Sequence, residues 1–224
     1  MIEPLRVTEE PPPPRPVTAP ELAAQLAGKL CHDFISPASA ITSGLDLLED
    51  PTAQDMREEA IGLITSSARK LVALLAFDRV AFGTSAMAES FDVRELETLT
   101  RGVYDHMRAE LEWAVEPAAL NKPAARALLN MAQIAGGALP TGGTARIAVR
   151  DEGGEVVIET ESRAPRARLK PEVQTGLQGL PLSEGLSGQW VQSYYLSTLV
   201  EAAGGSLEYE AVEELVRIRA RIPA

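Results

Sequence analysis

The sequence predicts an α+β protein, with an N-terminal antiparallel helical hairpin dimerising into a four-helix bundle and a C-terminal α/β sandwich. Three observations carry that prediction. Two apolar stripes of helical period fill residues 21–82 and are separated only by a short proline turn. Beyond residue 90 the pattern changes to helical segments followed by alternating strands, which suggests two packed layers. The hairpin also has more apolar stripe than one copy can bury, and pairing two hairpins removes the excess.

The elements follow in chain order. Residues 1–20 hold seven prolines and little to bury, so a disordered tail is expected there. From Glu21 the positions Leu22, Leu26, Leu30, Phe34, Pro37, Ile41, Leu45 and Leu48 step by three or four, one face of a helix. The Asp50-Pro51-Thr52 turn stops it, with Thr52 placed to cap the next helix. A second stripe runs Met56, Ala60, Leu63, Ser67, Leu71, Leu74 and Val80. Residues 21–82 are thus one hairpin unit, 83–90 a small, polar linker, and 91–224 a second domain. Within it, helices are expected over 93–107, 122–139 and 190–203. Strands are expected at 111–115, at 145–150 and 155–161 around Gly153-Gly154, and at 206–211 and 215–222. Trp113 and Trp190 read as core residues.

Composition narrows the function. Lys and Arg total 21 against 32 Asp and Glu, a net charge of −11. That balance argues against nucleic acid, whose phosphates are met by Lys and Arg, and against an anionic membrane surface. The single cysteine, Cys31, cannot form an intrachain disulfide, which fits a reducing compartment, and packing is its expected role. The first residues lack a signal-peptide core, and no stretch is expected to approach the roughly 18 apolar residues needed to cross a bilayer. A cytoplasmic protein is the expectation.

Two histidines are present. His106 has no motif around it and reads as a surface or helix-end residue. On a helix of about 100° per residue, the Leu22–Leu48 stripe stays within roughly 80° of Leu30, while His32 lies roughly 200° away. His32 therefore faces water, with Ser36, Ser39 and Ser43 on its side as small residues that admit close approach. An exposed imidazole on a rigid helix is suited to nucleophilic attack on phosphorus. The run from Leu30 to Ile41, with His32, Asp33, Ser36, Pro37 and Ile41 in order, resembles the phospho-accepting box of sensor histidine kinases. That resemblance implies that His32 is the phospho-acceptor and Asp33 positions it. Pro37 removes a backbone donor about one turn beyond the histidine.

The resemblance extends through the second domain, where the nucleotide boxes are damaged. The run Arg126–Ala135 resembles the first box, keeping Asn130 but carrying Ile134 where the family holds Mg²⁺ with a second Asn. Ser162 stands in place of the adenine-reading Asp, with Ala164 and Arg166 where glycines belong. The run Leu199–Gly205 matches the end of the third box, yet counting back puts Trp190 and Gln192 on the phosphate-loop glycines, with Gly185 and Gly188 just upstream. A kinase-like core without its nucleotide site is similar to the ChpT family of histidine phosphotransferases of bacterial cell-cycle phosphorelays. The closest stretches are residues 30–50, 164–173 and 199–207.

The resemblance implies a homodimer that binds no cofactor or metal of its own and does not use ATP. Phosphate would reach His32 from the receiver domain of a hybrid histidine kinase and leave to response-regulator receivers, which bring their own Mg²⁺. Ile35 is the expected apolar anchor of the receiver contact, beside Ser36, Ser39 and Ser43. Arg163, Arg166, Arg168 and Lys170 form a basic cluster in an acidic protein, which reads either as a solvated loop or as a contact patch for an acidic receiver surface, with Arg166, Arg168 and Lys170 as its rim. Two rivals remain: a non-catalytic dimeric adaptor, which tolerates loss of His32, and an active histidine kinase, which the damaged boxes oppose.

Overall fold

The computed structural model describes residues 17–83, 89–182 and 187–224. Most of the expected tail and linker, and Gly185, lie outside them. Helix α1 runs Ala19–Glu49 and opens on a capping box, in which the Thr18 hydroxyl accepts from the Glu21 backbone N–H and Glu21 reaches back to the Thr18 N–H. Ala19 and Pro20 thus belong to the helix rather than the tail. Helix α2, Arg57–Ala81, packs antiparallel on α1 after a single 3₁₀ turn at Gln54–Met56.

Thr52 does not cap α2. Its N–H and hydroxyl both donate to the Asp50 carboxylate, which that contact holds below the usual carboxylate range, and α2 begins without a side-chain cap. The turn spends Thr52 on closing itself. The helices cross closely at Gly44, where an added Cβ would lie 2.6 Å from Ile64 Cγ1 and 3.1 Å from the Ala60 carbonyl oxygen. Gly44→Ala is therefore expected to lose about 1 kcal/mol despite alanine's better helix propensity, measured by urea unfolding.

Ala60, Ser67, Leu74 and Val80 of the second stripe are buried, while Met56 and Leu63 are exposed in the single chain. Ile61, Val72 and Leu75 are exposed too, within about 60° of one another on the helix. Helix α2 is thus apolar on two sides. This corrects the expectation about membrane-spanning length, because an 18-residue window within Gln54–Ala81 reaches a mean hydropathy of 1.5. The same segment packs against α1 and carries Arg69 and Lys70.

The second domain has two layers. A five-stranded sheet is ordered β2 (Ala109–Val115), β4 (Gly143–Glu152), β5 (Glu155–Arg163), β7 (Leu215–Pro223) and β6 (Ser206–Val212), parallel only between β2 and β4. Helices α3 (Val93–Tyr104), α4 (Lys122–Gly137) and α6 (Ser187–Ala202) cover its inner face, into which Ala145, Ile147, Ile158 and Ile218 point. On the opposite face Arg217 and Arg219 pair with Glu161 and Glu159 at 2.7 and 2.6 Å. The Arg217 hydrogen bond holds the Glu161 carboxyl below its ordinary range. Sequence reading missed three short elements: β1 (Ser90–Asp92), β3 (Ala119–Asn121), which pairs with it, and α5 (Pro171–Leu177). Trp190 is core, whereas Trp113 is half-buried.

The halves are tied together. Asn130 donates to the Ala81 carbonyl at the end of α2, and the Arg126 guanidinium donates to the Gly83 carbonyl. The Phe82 ring lies 5.3 Å from that of Tyr195, and α6 packs along α1.

Candidate functional site

His32 projects from the middle of α1 with 85% of its side chain exposed. Its Nδ1 lies 3.4 Å from Asp33 Oδ1, and a proton directed along that contact leaves the Nε2 lone pair facing water. The other Asp33 oxygen accepts from Lys29 Nζ at 2.6 Å. Lys29 is only 7% exposed, and its ammonium sits 5.6 Å from the centroid of the Phe82 ring. Asp33 therefore links an exposed imidazole to a buried ammonium. Pro37 is buried within a continuous helix, and its missing N–H leaves the Asp33 carbonyl without its usual partner one turn on.

Beneath Lys29 stands Asp78 of α2, 4% exposed, with neither carboxylate oxygen hydrogen-bonded. Burial pushes its carboxyl up to about 6; the Lys29 charge opposes that rise and Asp33 adds to it.

Two adjoining hollows, about 480 and 340 Å³, lie between α1 and the second domain and share Lys29, Asp33, Gly188 and Gln189. The first also reaches His32, and the second reaches Arg168, Lys170 and Gln192. The loop bearing Arg168 is fixed by its backbone N–H on the Ala138 carbonyl and by buried Leu169.

Of the residues at the nucleotide-box positions, Ile134 and Gln192 line the second hollow, and the box residues as a set do not fit a nucleotide. Asn130 is fully buried, donates to the Arg126 and Ala81 carbonyls, and accepts from Gln192. Ser162 is buried and donates to the Ala135 carbonyl at 2.9 Å, so nothing there is free to read a base. Trp190 is 3% exposed, donates to the Leu180 carbonyl and lies 4.6 Å from the Tyr194 ring. Ile134 offers a hard cation no oxygen.

Comparison with known proteins decides the family. The family model for the histidine phosphotransferase C-terminal domain matches residues 93–215. The chain is 35% identical over 206 residues, 90% of its length, to protein phosphotransferase ChpT of Brucella abortus (strain 2308), 95% of which is covered. This chain belongs to the histidine phosphotransferase family. A solved bacterial phosphotransferase superposes with a TM-score of 0.83 at 30% identity, over 92% of this chain and 98% of that one.

In this histidine phosphotransferase the structure brings together some of the expected site and leaves out the rest. His32, Asp33, Arg168 and Lys170 line the joined hollows. Ile35, 62% exposed, and the exposed Ser36, Ser39 and Ser43 continue the His32 side of α1. Arg166 is exposed but lines neither hollow, and Arg163 pairs with Glu161 beside a different one. The basic cluster is therefore split. Cys31 is exposed in this chain, contrary to the packing expected of it, because it adjoins His32 on the outward side. His106 lies in an exposed turn after α3. Sequence reading missed Lys29 and Asp78. The signals were a lysine four residues before Asp33 and a lone acid in the apolar run Leu71–Ala81.

Proposed function

We propose that this histidine phosphotransferase takes a phosphoryl group on His32 from the aspartyl phosphate of one receiver domain and passes it to the aspartate of another, without ATP. The observation that carries the reading is the 85% exposed imidazole, backed by Asp33 and facing a groove rimmed by Arg168 and Lys170. Nε2 forms the N–P bond as the P–O bond to the donor carboxylate breaks, that oxygen keeping the electron pair. Nδ1 retains its proton, so the ring becomes cationic beside a dianionic phosphoryl group, and Asp33 faces the positive side. The return step runs the same bonds in reverse toward the acceptor aspartate. In-line transfer of this kind depends on positioning and charge neutralisation. A receiver supplying its own Mg²⁺ leaves this chain to provide an aimed nucleophile. The match to a phosphotransferase over nine-tenths of the chain supports the reading.

The outward stripe Ile61, Val72 and Leu75 supports a second copy as the hairpin's partner, since it would complete a four-helix bundle. The acidic, one-cysteine composition supports a cytoplasmic location. The test is incubation with a phosphorylated receiver domain. Acid-labile, base-stable phosphate is expected on the chain, and Mg-ATP alone is expected to label nothing. Labelling by ATP would restore the kinase rival, and no labelling by either donor would leave the adaptor.

Ile35 is the apolar anchor of this contact and the basic residues its rim. Charge reversal of Arg168 and Lys170 is expected to slow transfer roughly tenfold at low salt and to flatten its salt dependence. The same change at Arg166, outside the groove, is expected to do less. Transfer rates at subsaturating receiver across a salt series check this. Equal effects at the two places would return the whole cluster to a diffuse rim.

A further inference from the structure

We propose that Lys29 and Asp78 are positioning residues for His32, a buried second tier that holds Asp33 against the imidazole and sets how strongly Asp33 stabilises the phosphorylated ring. The proposal rests on the reading that His32 is the acceptor. Its basis is a line of groups running from solvent into the molecule. His32 Nδ1 meets one Asp33 oxygen at 3.4 Å, and the other oxygen binds Lys29 Nζ at 2.6 Å. Exposure falls steeply along that line, with the His32 side chain at 85%, Asp33 at 27% and Lys29 at 7%.

Phe82 caps the end of α2 one turn after Asp78, its N–H donating to the Asp78 carbonyl. Lys29 sits over Phe82, and its charge acts on Asp78. Two carboxylates thus compete for one ammonium, Asp33 through a hydrogen bond and Asp78 through the field alone. Among the described residues, other ionisable groups packed around the end of α2 make contacts of their own, although the buried Nε of Arg126 has no hydrogen-bond partner. Arg126 of α4 holds the Gly83 carbonyl, Tyr195 of α6 lies against Phe82 with its phenol pushed up by burial, and Glu97 and Arg101 of α3 bind each other.

Removing water strengthens these interactions, so a buried change is felt at the exposed ring. Phosphorylation makes the ring cationic, and the negative charge of Asp33 favours that state. Lys29 draws on that charge, and an ionised Asp78 draws Lys29 back. Ionised Asp78 therefore favours phosphate on His32, and neutral Asp78 favours its departure. The carboxyl titrates near 6, so the tier changes state on the acid side of neutrality. A residue serving only to fill space would show no such dependence on charge.

The experiment measures the equilibrium share of phosphate between the full chain and a receiver domain phosphorylated with acetyl phosphate. At about pH 8, D78N is expected to lower the share on His32 by roughly threefold, because Lys29 then draws on Asp33 alone, while loss of the direct field of Asp78 on the dianionic phosphoryl group offsets part of the effect. Asp78→Leu, uncharged and apolar, is expected to repeat that shift. K29M is expected to move the equilibrium the other way while slowing uptake, because Asp33 loses its anchor. Near pH 5 the gap between D78N and the wild type is expected to close. Shifts in one direction for both residues, no shift, or a D78N gap that persists in acid would overturn the proposal. A wild-type chain that takes up no base-stable phosphate would instead sink the His32 reading on which it rests.

Discussion

Replacing His32 with alanine is expected to abolish phosphoryl uptake and leave the fold unchanged. The imidazole is 85% exposed, and its hydrogen-bond partner among the described residues is Asp33 at 3.4 Å. Substitutions at such positions change stability by about 0.5 kcal/mol or less. Uptake, by contrast, loses the imidazole that lines the groove. The second histidine, His106, lies in a turn after α3 and lines neither hollow. Labelling by a phosphorylated receiver, with a urea melt of the same sample, separates loss of chemistry from loss of fold. Retained labelling in His32→Ala, or its loss in His106→Ala, would refute the assignment.

Asp78→Asn is expected to stabilise the protein by about 2 kcal/mol above neutrality. The carboxyl titrates at 3.8 in the unfolded chain and at about 6 in the folded one. Between those values the folded state binds the extra proton. Stability from this group is therefore fully present below the unfolded value and is lost as pH rises through about 6. A rise of about two units corresponds to roughly 3 kcal/mol. Asparagine removes the charge but brings an amide that needs its own partner, which reduces the gain. Urea melts at fixed protein concentration check this, with the difference expected near pH 8 and gone near pH 4. A destabilised variant at both values would mean that the carboxylate is held by a contact the structure does not contain.

Periodicity located the hairpin and every long element of the second domain, because each combines one apolar face with a clear stop. Asp50-Pro51, Gly153-Gly154 and Gly204-Gly205 all punctuate as their chemistry demands. The short elements escaped for the opposite reason. The three-residue strands Ser90–Asp92 and Ala119–Asn121 have no room to show a period, and α5 follows a basic, proline-containing run that reads as loop. At the candidate site, the exposure of His32 was legible from the helical stripe opposite it. Lys29 was not, since a lysine on a long helix ordinarily points to water, and only the packing of Phe82 and α6 against α1 buries this one. Likewise the split of the basic cluster depends on where the loop at 164–170 lands, which no local pattern states.

The junction at Ala81–Gly83 has a consequence for inheritance. With Asn130 and Arg126 fastened to the end of α2, the walls of the groove stand in fixed relation before any visitor arrives. A kinase that must reach its own histidine and then withdraw cannot accept such a fastening, whereas a carrier served from outside can. The surviving asparagine of a nucleotide box has thereby become a structural pin. Receivers that dock as proposed would all meet the same relief. A substitution in either wall would then be felt by each such receiver, and one at the rim would tell them apart.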